Sequence, residues 1–206
     1  MSTSVSRTLA GVGGALALLL SVAVALFSYR FLPMIGPISP EILANLYARP
    51  WLTLHAGGAA TALLVGGFQF LPAVRRRRRL HRWIGRVYAG GCIFAGCAGF
   101  VLAFGTTAGP VAALGFGLLA PIWVYCTAQG WLTARARRFD EHRRWMIRSF
   151  ALTFAAVTLR LYLPLGVMAG LSFHQIYVAT AWISWIPNLL LAELYLRRRA
   201  FVLQPA

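Results

Sequence analysis

The chain contains no lysine and almost no acid. All twenty basic residues are arginine, only Glu41, Asp140, Glu141 and Glu193 are acidic, and the formal net charge is +16. The arginine bias reads as genome composition more than as function. The scarcity of carboxylates has a chemical consequence: no two fall within one apolar run, so paired-carboxylate acid–base chemistry there is excluded. Cysteine is scarce too, with Cys92, Cys97 and Cys126 set in apolar surroundings and no Cys-x-x-Cys spacing. That speaks against a thiolate metal site or a disulfide framework and leaves the three as small apolar fillers. A glycine-rich phosphate loop, a zinc motif and a nucleophile elbow are missing as well, which leaves soluble catalysis without support.

What is abundant is apolar surface. Hydrophobic residues make up 59% and charged residues 12%, against roughly half and a quarter in globular proteins. A soluble core of 206 residues cannot absorb that much apolar area. The chain therefore reads as an all-α integral membrane protein with a single helical domain over residues 1–206. Apolar runs near 9–27, 51–71, 84–104, 111–132, 150–169 and 176–196 approach the roughly 20 residues that cross a bilayer. They predict a bundle of six transmembrane helices, because a helix satisfies its own backbone groups in hydrocarbon. In the first run, Ala23-Val24-Ala25 also resembles a signal-peptide cleavage site. The run is long for such a peptide and no polar region precedes the cut, so a retained helix is expected.

Arginine placement orients the bundle. The most basic stretch, VRRRRRLHRWIGR at 74–86, joins runs two and three. Arg135, Arg137, Arg138, Arg143, Arg144 and Arg148 join runs four and five, Arg197–Arg199 follow run six, and Arg7 precedes run one. These are alternate connections, and the others hold only Arg30 and Arg49. The positive-inside rule then places both termini and every arginine cluster in the cytoplasm. Such loops suit anionic lipid headgroups as partners. Nucleic acid is disfavoured, since no aromatic stacking platform accompanies the arginines. Residues 30–50 fall outside. There Ser39-Pro40-Glu41 forms a helix start, and Ile42, Leu43, Leu46 and Tyr47 share a face, so the segment is either a short surface helix or an ordinary loop.

Gly91, Ala95 and Gly99 repeat every four residues in run three, and run two carries Gly57, Gly58, Gly66 and Gly67. Small residues at this spacing permit close helix packing in lipid. They would also admit a flat haem or quinone ring. Arg160 lies about 18 Å into the membrane at 1.5 Å per residue from Arg148. An arginine there needs a cavity, a partner or an anionic ligand. Thr153 and Pro164 lie near its face. It either contacts a ligand or cofactor, or bonds backbone carbonyls.

Four histidines complete the candidate set. His55 and His174 fall at similar outer depth, where they could share haem iron, a divalent metal or a proton, or could simply be interfacial. His81 and His142 lie at the inner ends of runs three and five, each followed by arginine. Two histidine pairs, one per face, is the gross plan of two-haem membrane cytochromes, with haem b as the cofactor. The alternative for the inner pair is contact with headgroups and neighbouring loops. Gln69, Gln129 and Asn188 suit either a headgroup or quinone pocket or interhelical bonding, and Asp140 and Glu141 are expected to pair with nearby arginines.

Five blocks carry a family resemblance: His55-Ala56-Gly57-Gly58, Gly66-Gly67-Phe68-Gln69-Phe70, Leu80-His81-Arg82-Trp83-Ile84-Gly85-Arg86-Val87-Tyr88, His142-Arg143-Arg144-Trp145-Met146-Ile147-Arg148-Ser149 and Leu159-Arg160. Together they resemble the bacterial membrane-protein family known as domain of unknown function 2306. The resemblance implies a multi-pass membrane protein and carries no catalytic assignment.

Three functions compete. The first is a cofactor-binding protein of the bacterial inner membrane, holding haem or a quinone-like ring between helices. Its candidate residues are His55, His174, Arg160, His81 and His142. The second is a transporter or channel for a small anion or acidic lipid, with Arg160 as its central charge. The third is a structural or assembly protein whose arginine loops bind anionic lipid.

Overall fold

The computed structural model describes residues 2–36 and 38–202, with side chains over 11–36 and 38–198. The side chains of Arg7 and Arg199, used above for orientation, lie outside the described residues. Every regular element among the described residues is helical: α1 (Ser2–Ser28), α2 (Pro40–Leu43), α3 (Ala48–Gly66), α4 (Pro72–Arg76), α5 (Arg78–Phe104), α6 (Pro110–Arg135), α7 (Phe139–Thr153), α8 (Ala155–Met168), α9 (Phe173–Ile183) and α10 (Ile186–Val202). Five stretches are long and apolar enough to cross a membrane: Gly11–Phe31, Ala48–Phe70, Arg78–Phe104, Pro110–Arg135 and Phe139–Met168. The protein is thus an all-helical, multi-pass membrane protein. The many exposed leucines and phenylalanines on these helices are what lipid solvation allows.

The sequence 176–196 does not form the continuous helix expected of it. It splits into α9 and α10 around Ser184 and Trp185. Pro187 accounts for the break, since it has no N–H for the carbonyl four residues earlier and its ring crowds that carbonyl. Polar side chains gather at the break. The carbonyl of Ser184 accepts from Thr158 Oγ1 at 2.6 Å and from Asn188 Nδ2 at 2.9 Å. Asn188 also donates to Thr158 Oγ1, the interhelical role expected of it.

The stretch read as the first arginine loop is helical as well. α4 and α5 meet at a single non-helical residue, Arg77 (φ −89°, ψ 80°). α5 therefore starts at Arg78, six residues before the expected start of its apolar run. Arginine is a good helix former, so the charge run extends the helix rather than ending it. The outer segment does the opposite. α2 is a single turn, and the Ser39 hydroxyl donates to Glu41 instead of capping the helix. Ile42 packs towards Phe31 and Leu52, whereas Leu43, Leu46 and Tyr47 are exposed.

The centre of the bundle is the seam between α3 and α5. A Cβ placed on Gly91 would lie 2.9 Å from the Gly58 carbonyl oxygen, and one on Gly58 would lie 3.0 Å from the Gly91 carbonyl oxygen. The backbones touch, so at these two glycines the small-residue repeat serves helix packing and leaves no room for a ring. Ala95 in the same row is fully buried. Farther along, a Cβ on Gly66 would meet the Tyr88 ring at 2.6 Å. Arg148 then clamps α7 to α10 through two bonds to Glu193, at 2.5 and 3.0 Å. Glu141 pairs with Arg138, as expected for one of the two acidic residues there.

The seam makes a specific prediction. Gly91→Ala should destabilise the protein by about 1–3 kcal/mol through overpacking against the backbone of α3. Gly90→Ala, where a Cβ meets nothing within 4 Å, should be neutral or slightly stabilising. Thermal unfolding of the two variants in detergent compares them, and equal behaviour would refute the backbone contact.

Candidate functional site

Two cavities stand out among the described residues of the bundle. The larger, about 540 Å³, opens at the arginine-rich end between α3, α5, α6 and α7. Its wall follows from helical periodicity. His81, Arg82, Gly85, Arg86, Tyr88 and Ala89 fall three to four residues apart on the first turns of α5, and all of them line the cavity. From α6 come Thr127, Trp131 and Arg135, from α7 Phe139, His142, Arg143, Met146 and Phe150, and from the α3–α4 connection Gln69 and Phe70.

The polar groups in this cavity are incompletely satisfied. Gln69 is buried and donates through Nε2 to the His81 carbonyl at 3.2 Å, while its Oε1 has no partner. His81 Nδ1 is also buried without a partner. His142 is different: its Nδ1 bonds the Gly130 carbonyl at 2.8 Å. A carbonyl can only accept, so Nδ1 carries the proton and a neutral ring keeps its Nε2 lone pair free. His81 sits within electrostatic reach of both His142 and Arg75. The inner histidines, drawn from helices far apart in sequence, therefore share one cavity with Arg75, Arg82, Arg86, Arg135 and Arg143. Buried polar atoms without partners are uncommon in folded proteins, and here two of them share one wall.

The smaller cavity, about 220 Å³, lies between α3, α5, α6, α8 and α9 and contains His55, Arg160, Thr106, Tyr177 and Ser184 in its wall. His55 Nδ1 bonds the Ala95 carbonyl at 2.9 Å, and Gly99 makes room for the ring, since a Cβ there would lie 2.8 Å from Nδ1. Arg160 donates through Nη1 to the Ala156 carbonyl.

The outer histidine pair is not brought together. His174 is exposed on the first turn of α9, where the Ser172–Gln175 capping box starts the helix, and it forms no part of the wall around His55. Its electrostatic neighbour is Glu41, whose carboxyl is held below the usual carboxylate range first by the Ser39 hydroxyl and in smaller part by His174. Gln129 lines neither cavity. No group of three or more histidine, cysteine or acidic residues converges among the described residues.

Between the cavities lies a hydroxyl cluster that composition did not signal. Tyr88 OH bonds Ser149 Oγ and Thr153 Oγ1, both at 2.8 Å. Thr127 Oγ1 bonds Ser149 Oγ at 2.7 Å, and Trp123 Nε1 donates to Thr153 Oγ1 at 2.9 Å. Thr153 was noted beside Arg160, but its partners come from other helices. The legible trace was the four-residue spacing of Ser149 with Thr153 and of Trp123 with Thr127.

The chain belongs to the family described as predicted membrane protein DUF2306, whose model matches residues 52–196. No curated protein and no solved structure matches it. Every resemblance block within that range contributes residues to the wall of one of these cavities: Gln69, His81, Gly85, Tyr88, His142 and Met146 to the larger, His55 and Arg160 to the smaller.

Loss of the Tyr88 hydroxyl tests the cluster. Tyr88→Phe keeps the ring under Gly66 but strips a buried partner from Ser149 and Thr153, at a cost of about 1–3 kcal/mol. Chemical denaturation of the purified variant should show that loss, whereas an unchanged midpoint would mean the cluster contributes nothing to stability.

Proposed function

We propose that the protein binds a planar cofactor, haem b, in the larger cavity, as a six-span protein of the bacterial cytoplasmic membrane with both termini inside. α9 and α10 would together make the sixth span, bent at Pro187. The arginine asymmetry between the two ends supports that orientation through the positive-inside rule.

The observation that carries the cofactor reading is the meeting of His81 and His142 in one wall. The pair fits the donor set of a bis-histidine haem. His142 has the arrangement usual for a ligating imidazole, with the far nitrogen held by a backbone carbonyl. His81 brings a ring nitrogen that no protein atom satisfies. Arg82, Arg86, Arg135 and Arg143 line the same cavity and would neutralise propionates, which a membrane interior would otherwise penalise. A cavity of about 540 Å³ is within the range of cofactor sites, roughly 300–1,000 Å³. Bound haem would supply one-electron chemistry. The protein's own part would be to hold the ring through His81 and His142, with Phe150 and Met146 adding apolar wall.

A second reading rests on Gln69. Its unpartnered Oε1 accepts hydrogen bonds and suits a hydroxyl-bearing headgroup, such as a quinol, better than the carbon edge of a porphyrin. The arginines would serve an acidic amphiphile equally.

One absorption spectrum separates the two. Protein expressed with haem supplied should show a Soret band that His142→Ala and His81→Ala each remove while the protein still folds. A colourless wild type that releases quinone or acidic lipid on solvent extraction would replace the first reading with the second.

A further inference from the structure

The smaller cavity stands apart from the proposed cofactor site and has its own unbalanced charge. Arg160 makes one hydrogen bond to protein, from Nη1 to the Ala156 carbonyl at 2.9 Å. No carboxylate lies within ion-pair distance of it among the described residues. The charge acting on it is another cation, Arg30. Pro164 stands four residues on and offers no N–H to the Arg160 carbonyl. The guanidinium has five donors in a planar fork, so four remain beyond the one used. Ser184 Oγ is buried in the same wall without a partner. His55, fixed through Nδ1, keeps its second ring nitrogen.

We propose that this cavity is a binding site for a small monocarboxylate. The planar fork of Arg160 matches a carboxylate through two parallel bonds. Ser184 is the further donor. Much of the rest of the wall is apolar, with Leu52, Ala56, Ala60 and Leu102 beside Phe31 and Phe116, while Asn45, Thr106 and Tyr177 add neutral polar groups. Such a wall accepts a short carbon chain and, among the described residues, holds no second arginine for a second carboxylate. The volume of about 220 Å³ corresponds to roughly seven water volumes, which limits the ligand to a handful of heavy atoms. The cost of burying an arginine in a span is high, and an anion drawn from water offsets it.

The test uses the full chain in lipid nanodiscs, with acetate, butyrate, benzoate, phosphate and chloride titrated calorimetrically. Butyrate should bind at least tenfold more tightly than phosphate or chloride. Arg160→Gln should weaken butyrate at least tenfold, and Arg160→Lys should recover part of that loss. Ala59→Phe, which fills the cavity and leaves the arginine in place, should also abolish binding. His142→Ala, at the other cavity, should leave the titration unchanged and so separates this site from the cofactor reading. Absence of binding to the wild type at millimolar butyrate, or equal binding by wild type and Arg160→Gln, would overturn the proposal. A preference for chloride or phosphate over every carboxylate would overturn it too.

Discussion

The contact on which the rest depends is the approach of α3 to α5 at Gly58 and Gly91. In lipid there is little apolar gain from bringing two helices together, because the tails are as apolar as leucine. Association must come from close packing and polar bonds. At this seam a side chain on either glycine would strike the opposite backbone, so the two helices sit as near as their main chains allow. His55 reaches the Ala95 carbonyl across that gap, and Tyr88 lies directly over Gly66. The first belongs to the wall of one cavity and the second to the wall of the other. Widening the seam would shift both walls.

A second constraint is the accounting of protons in the hydroxyl cluster. Each hydroxyl has one proton to give. Thr127 gives its own to the Trp123 carbonyl and Thr153 to the Ser149 carbonyl. Ser149 is then left to donate to Thr127, and Tyr88 to Ser149 or Thr153. Every proton has an acceptor, and Trp123 adds a fifth donor to Thr153. A cluster satisfied in this way locks α5, α6 and α7 in one register without burying an unpaired polar atom. Its completeness sharpens the contrast with Gln69, His81 and Ser184, whose unpartnered atoms all fall in cavity walls.

Much of this was legible in the chain because membranes restrict what sequence patterns can mean. Apolar length located the five long helices, and the row Gly91, Ala95, Gly99 marked the packing face of α5. The pairing of His81 with His142 was visible from their matched positions before arginine. Other features were not. Serine and threonine inside an apolar run read as tolerated residues, so the partners of Tyr88 could not be assigned. His55 and His174 matched in depth, but depth along a helix says nothing about rotation around it. His174 faces outward beside Glu41, and His55 turns inward against Ala95. The break between α9 and α10 was encoded in Pro187 and Asn188, read there only as a site of cross-helix bonding.

The arginine run before α5 shows how one segment can serve two physical demands. As charge, it belongs in water at a membrane face. As helix, it puts residues spaced three or four apart on a common stripe, and that stripe bears His81, Gly85 and Tyr88. Had the run been a flexible loop, the histidine would carry the entropy of a mobile segment and its ring nitrogen could reach solvent. Continuing the helix to Arg78 instead holds that nitrogen in the cavity wall, buried and unsatisfied, on the same helical turns as Arg82 and Gly85. The same helical run thus supplies the charge of one end of the bundle and part of the wall of its larger cavity.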